Sequence, residues 1–394
     1  MKKIFLILFS LFFSLGAKCA TLINDTEIEK EISEIIMPIA NAANIPENRL
    51  KIYIVRDDSF NAFVRGGEDI FVYTGLLQQI KNPNALRAVV AHELGHTIGG
   101  HTIQMSQRMH DEMVRTLIIQ SLGIGLMVAG GNPSAGAGIM AGATGVAQQS
   151  MLSFSRDEER MADDMAVDLM VKANKNPNGL IDVFEQMRDI SGEFESRINP
   201  NRVNHPLTSE RINNAKTKIS KLKKIPTKKE SEIAKENAGY EILRAKLIGY
   251  LDSDKNVLAK YPYSNKSDAA IYARAIANMQ SGNLDTAKTG TQTLIKRNPN
   301  NPYFYELLGD IEYQYGAYDD SVAAYEKSLK LIKNAPQIET ALALVLSERN
   351  KPGDKARAKE LCKRVILTDP SPLSYWILAR ITDGVESNWG MAEF

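Results

Sequence analysis

Cysteine is nearly absent from this 394-residue chain, which has only Cys19 and Cys362. A disulfide framework is therefore excluded, and stability must come from packing. Charge of one sign is also missing, with a formal net charge of +1, so there is no basic footprint for nucleic acid. Beyond the first twenty residues no apolar run reaches the roughly 18 residues a membrane span needs. Histidine is scarce at five residues, yet three of the five fall within 91-AHELGHTIGGH-101. What is present, 44% hydrophobic and 24% charged residues, describes a folded chain long enough for two or three domains.

The opening MKKIFLILFSLFFSLGAKCA has two lysines, an apolar run from Ile4 to Leu15 and then small residues, the layout of a secretory signal peptide. Cleavage fits best after Cys19, so residues 1–19 are expected to be removed and the mature chain to be exported. Loss of Lys2, Lys3 and Lys18 would leave 45 basic against 47 acidic residues, a net charge of −2, with Cys362 as the sole cysteine.

Helical spacing of Ile and Met runs from Glu27 to Ala43, and 51-KIYIV-55 and 70-IFVYTGLL-77 read as short β-rich runs around Gly66 and Gly67. The run 84-NALRAVVAHELGHTIGGH-101 has an Asn cap and apolar residues three and four apart, which predicts a helix through His96 loosened by Gly99 and Gly100. Residues 117–152 are rich in Gly and Ala and broken by 130-GGNPSAG-136. They suggest two small-residue helices packed as a hairpin on the protein or resting near a membrane surface.

A charged helix is expected from Pro206 to about Leu222, and 223-KKIPTKKESE-232 has the composition of a linker. The lysines from Lys216 to Lys235 are read as a solvated helix end rather than a lipid-docking patch. Beyond the linker the sequence repeats. Aligning Gly282 in 281-SGNLDTA-287 with Gly316 in 315-YGAYDDS-321 gives a period of 34, with Leu308, Gly309, Tyr325 and Pro299 in register, which identifies helical pairs of the tetratricopeptide type. A third unit, from Ala358 to Pro370, carries three extra residues near 350-NKPGDK-355, and Trp376 opens an incomplete fourth. The expected organisation is a leader (1–19), a mostly α, α+β domain of zincin type with a small sheet (20–222), a linker (223–236), and an α-helical repeat domain (237–394). The two folded parts are expected to separate when the chain is cut within 223–232.

On a helix His92 and His96 stand one turn apart on one face, so both imidazoles can reach a Zn²⁺ ion. Glu93 lies beside them, placed to take a proton from an attacking water. The spacing is a zincin signature. His101 falls nine residues after His92, one short of the metzincin spacing, so a downstream carboxylate is the better third ligand. In 154-FSRDEERMADDMAVDLM-170, Glu159 and Asp163 are four apart on one helical face. Glu159 can supply the ligand oxygen, and Asp163 can accept the N–H of a ligating histidine and so fix its tautomer.

FSRDEERMAD, HELGHTIGGH, 61-NAF-63 with 70-IFVYTGLL-77, and 205-HPLTSERI-212 together resemble the zinc metallopeptidase family 48 that contains the CAAX prenyl proteases and HtpX. With its leader and repeat tail the chain is similar to the exported members. The resemblance implies one Zn²⁺ held by His92, His96 and Glu159, Glu93 as general base, and Asp163 orienting a ligand. It places His205 close to the metal, either stabilising the oxyanion or occupying the open coordination position at rest. Arg211, and with it Arg156, would pair with a buried carboxylate. The strand carrying Ile70, Val72 and Thr74 would be the sheet edge on which an extended substrate pairs. The stretch 64-VRGGED-69 departs from the family, whose members commonly have a proline before the glycines. The implied function is a periplasmic zinc endopeptidase with chaperone-like activity in outer-membrane protein quality control. Its partners would be unfolded or misassembled outer-membrane proteins, the β-barrel assembly machinery through the repeat domain, and, peripherally, a membrane. The competing class is a repeat-based chaperone or adaptor whose protease site is silent.

Overall fold

The computed structural model describes residues 21–101, positions 103, 104, 107 and 111, then 156–194, 205 and 207–382. The leader and the stretch 117–152 lie outside the described residues. The first half is α+β and the second wholly helical. Strand β1 (Thr21–Ile23) leads into α1 (Thr26–Ala42), followed by β2 (Lys51–Arg56), β3 (Ala62–Arg65), β4 (Asp69–Tyr73), α2 (Thr74–Gln79) and α3 (Pro83–Ile98). After the undescribed stretch come α4 (Arg156–Lys172), α5 (Gly179–Phe194) and α6 (Ser209–Ser220). Among the described residues no helix is long and apolar enough to cross a membrane.

Alternation along the strands builds the core. Ile54, Val64, Ile70 and Val72 face inward onto Ile32, Ile36 and Ile39 of α1 and Leu86, Val90 and Leu94 of α3. The other sheet face carries a ladder of rings, with Phe71 stacked between Tyr53 at 4.7 Å and Phe63 at 4.5 Å. Helix α3 begins where Asn82, rather than Asn84, accepts a hydrogen bond from the Ala85 N–H, with Pro83 in the first turn. It is buried on nearly every side, so the helix that carries the histidines is the centre of the domain rather than a surface element.

The sheet corrects one expectation. Strand order is β1-β2-β4-β3, with β4 parallel to β2 and antiparallel to β3. Ile70 and Val72 therefore sit on an interior strand whose backbone is paired on both sides, and both side chains are fully buried. Thr74 starts α2, donates to Asp57 O at 2.9 Å, and is also buried. None of the three can offer a free edge to a substrate. Among the described residues the open edge on that side is β3, which contains 62-AFV-64.

Residues 230–236 of the expected linker form the first turns of α7 (Glu230–Leu251). Tyr240, Leu243 and Leu247 of this helix belong to the same core as α1 and α3, while Ala245 and Ile248 pack with the helices that follow. Tyr240 Oη donates to Leu77 O at 2.9 Å, and Arg87 of α3 makes a forked pair with Glu236 at 3.1 and 3.2 Å. A cut at 223–232 would strip an apolar face from the first domain and expose it on the second.

After α8 (Asp254–Lys260) come three pairs: α9 (Asp268–Gln280) with α10 (Leu284–Arg297), α11 (Pro302–Gln314) with α12 (Tyr318–Leu331), and α13 (Pro336–Arg349) with α14 (Asp354–Thr368); α15 (Pro372–Thr382) follows. The first helices start 34 residues apart, and so do α10 and α12, whereas α14 starts 36 after α12. The C-caps Asn298, Ile332 and Asp369 nevertheless fall 34 and 37 residues apart, so the third pair carries the three extra residues, one each in a longer α13, a four-residue turn and a longer α14.

A buried polar knot joins the halves. Lys246 of α7 lies 2.8 Å from Asp25, 3.1 Å from Glu27 and 3.4 Å from Glu306 of α11, and Tyr272 of α9 donates to Glu27 at 2.7 Å. Burial pushes the Glu306 carboxyl up from 4.5 to about 8; Lys246 opposes this, and Asp25, Asp310 and Glu27 reinforce it. A carboxyl whose folded value lies above its unfolded one takes up a proton on folding. Its stabilising contribution is full below about pH 4.5 and is lost as pH rises through about 8. The denaturant midpoint of the protein should therefore fall from about pH 5 to about pH 8 more steeply than that of Glu306→Gln, whose amide does not titrate. Equal slopes would place the pH dependence elsewhere.

Candidate metal centre and active site

The HELGH segment is the middle of α3, so His92 and His96 project to one side with their Nε2 atoms 3.1 Å apart. Helix α4 crosses α3 at Gly95, where a Cβ would stand 2.8 Å from the carbonyl oxygen of Ala162. Only glycine permits this approach, and the approach brings Glu159 and Asp163 to the histidines. Glu159 places Oε1 3.4 Å from His96 Nε2 and Oε2 3.5 Å from His92 Nε2. Asp163 Oδ1 is 2.9 Å from His92 Nδ1, though without in-line hydrogen-bond geometry.

His205 closes the cluster from the segment before α6. Its Nδ1 lies 2.7 Å from Glu159 Oε1 and 3.4 Å from His92 Nε2, and its Nε2 is 3.5 Å from Glu93 Oε1. His92, His96, Glu159 and His205 thus converge, one donor atom each. A tetrahedral zinc with ligands at about 2.0–2.1 Å has ligand atoms roughly 3.3 Å apart. The observed separations of 2.7 to 3.5 Å are close to that edge length. Three imidazoles and one carboxylate are also the donor chemistry zinc takes.

Helix α6 supplies the balancing cation. Thr208 caps it by accepting from the Arg211 N–H, and the Arg211 side chain forks onto Asp163 at 2.8 and 2.9 Å while Nη1 reaches Glu159 at 2.6 Å. The guanidinium lies over the Phe184 ring, 5.2 Å from its centroid. Arg156 does not share this role, because it is the exposed first residue of α4.

Burial and charge act against each other throughout. Burial alone would raise Asp163 and Glu159, yet Arg211 and His92 hold Asp163 below the usual carboxylate range, and the three histidines hold Glu159 well below it. Burial disfavours the charged His92 ring, but Asp163 and Glu159 outweigh it and push His92 up to about 10. At His96 burial prevails, Glu159 only partly opposing it, and the value falls to about 4. Burial raises Glu93 above its ordinary 4.5, partly offset by His205 and His92. A raised carboxylate suits proton transfer near neutral pH.

Every residue expected near the metal, His92, Glu93, His96, Glu159, Asp163, His205 and Arg211, is brought together; Ile70, Val72 and Thr74 are not. His101 is no ligand, since its ring stands behind His96, on the side away from the cluster's Nε2 atoms. Phe184 escaped the sequence reading. The apolar spacing in 180-LIDVF-184 carries the helix but gives no hint of what it touches.

The Peptidase family M48 profile matches residues 26–219. The beta-barrel assembly-enhancing protease of Escherichia coli O157:H7 is 22% identical over 380 residues, 94% of this chain and 74% of that protein. The protein of the same name from Yersinia pestis is 23% identical over 373 residues, with shares of 92% and 74%. Metalloprotease YcaL of Escherichia coli strain K12 is 27% identical over 192 residues, 48% of this chain and 70% of its own. The profile spans the helices that bear His92, His96, Glu159 and Arg211, and with that geometry residues 26–219 form a Peptidase family M48 domain, that of a metalloendopeptidase that uses one zinc.

Proposed function

We propose that this metalloendopeptidase is exported to the periplasm, where it cuts unfolded or misassembled outer-membrane proteins and assists their assembly. The observation that carries the catalytic part is a base and a full donor set in one buried cluster, with Glu93 only 7% exposed beside His92 and His96. The cellular setting rests on the similarity to proteins named beta-barrel assembly-enhancing proteases along most of the chain. In this reading His92, His96 and Glu159 hold the metal, and Asp163, gripped by Arg211, orients His92. Zinc bound there supplies Lewis acidity and lowers the pKa of water. Glu93 takes the proton of the attacking water and later delivers it to the leaving amine.

An extended substrate would pair with β3, the strand open on its far side and leading to a hairpin tip where Gly67 approaches Thr97 of α3. The helical pairs, read as tetratricopeptide units, would recruit clients and dock on the β-barrel assembly machinery. A permanently silent protease is disfavoured, since neither base nor ligand is missing. A resting block is favoured instead. His205 stands among the metal donors and beside Glu93, where it would compete with the water that Glu93 activates.

His205→Ala should keep its zinc, held by the other three donors, and cleave an unfolded outer-membrane β-barrel protein several-fold faster than wild type. Cleavage slowed on the order of 100-fold would instead make His205 an oxyanion donor, and an unchanged rate would leave it a structural residue.

A further inference from the structure

We propose that His101 is the residue that holds His96 in its metal-ligating tautomer. The proposal rests on His96 being a zinc ligand and goes beyond it. His96 turns Nε2 toward the donor cluster. A neutral imidazole that ligates through Nε2 carries its proton on Nδ1 and needs an acceptor there. The atom facing His96 Nδ1 is His101 Nδ1, at 3.1 Å, with the two rings 73° apart. Both nitrogens cannot carry protons at that separation. His101 is therefore neutral, accepting through Nδ1 and protonated on Nε2. The rings are 2% and 1% exposed, so water does not compete for the bond.

Two glycines build the contact. Gly99 closes α3 with its N–H on Gly95 O at 2.9 Å, and Gly100 then takes φ +72, a left-handed conformation that ends the helix just before helical geometry resumes at His101. His101, the next residue, folds against the Gly99 backbone so closely that a Cβ there would stand 2.6 Å from its Nε2. The nine-residue spacing that does not suit a third ligand is thus the spacing that carries an imidazole behind the second one. His92 and His96 are consequently supported differently. His92 faces an anionic carboxylate braced by Arg211, and His96 faces a neutral ring.

The test measures zinc dissociation constants by chelator competition on the full chain, each variant referred to the melting of its own metal-free form. His101→Phe keeps the ring volume but removes the acceptor, and should weaken zinc about 10- to 100-fold. His101→Gln, whose amide oxygen can accept, should recover most of that loss. Gly99→Ala should reproduce the Phe effect with His101 still present. In cobalt-substituted protein the Phe variant should shift the visible absorption band and the Gln variant should not. Wild-type zinc affinity in His101→Phe would overturn the proposal. So would equal losses in Phe and Gln, which would assign His101 to packing alone. His96→Ala separates the underlying reading: if it binds zinc like wild type, the ligand assignment itself is wrong.

Discussion

Glu93→Gln should retain one zinc per chain and lose proteolysis by about 100- to 10,000-fold, the usual contribution of a positioned general base. The amide is nearly isosteric, so the packing of α3 around a side chain that is 7% exposed should persist. What it cannot do is accept the water's proton. Glu93 is not among the converging metal donors, which is why metal content and activity should separate in this variant. Zinc content by elemental analysis, alongside single-turnover cleavage of an unfolded β-barrel protein, checks both halves. A Gln variant that cuts at the wild-type rate would remove Glu93 from the mechanism, and one that loses zinc would move it into the ligand set.

The second large effect is expected at Arg211. Arg211 is 6% exposed, and its guanidinium pairs with both Asp163 and Glu159. Arg211→Leu leaves two buried carboxylates without their cation, a loss of about 3–5 kcal/mol. The metal-free protein should show this as a lower melting temperature, and zinc binding should weaken because Glu159 and Asp163 are no longer held in place. Arg211→Lys keeps the charge but not the fork onto Asp163, so it should fall between the two. A Leu variant that melts like wild type would mean that the carboxylates are neutralised some other way.

The ligand helix was legible because its logic is local. Two histidines four apart on a helix must share a face, even though the cap is Asn82, two residues before the expected Asn84. Glu159 and Asp163 were legible for the same reason, the i,i+4 spacing on α4. Gly95 was not, because a glycine inside HELGH shows its purpose only when the Ala162 carbonyl is seen against it. Strand order is similarly non-local. The run 70-IFVYTGLL-77 reads as one β segment, yet its second half is helical and its first half is interior, since edge or centre depends on which strands arrive on either side. The stretch 223–236 misled through composition. Its lysines and Pro226 resemble a linker, but α7 starts at Glu230, and both its faces are claimed, by Tyr240, Leu243 and Leu247 on one side and by Ala245 and Ile248 on the other. The 34-residue period, by contrast, survives directly in the helix starts at Asp268, Pro302 and Pro336, because each pair repeats the same local contacts.

The account stands most directly on metal-dependent cleavage by this cluster. Purified chain should contain one zinc, lose cleavage of an unfolded outer-membrane β-barrel protein when the metal is stripped by a chelator, and regain it when one equivalent of zinc is restored; Glu159→Ala should bind zinc weakly and recover little. Undiminished cleavage by the zinc-free chain, or full zinc affinity in Glu159→Ala, would contradict it.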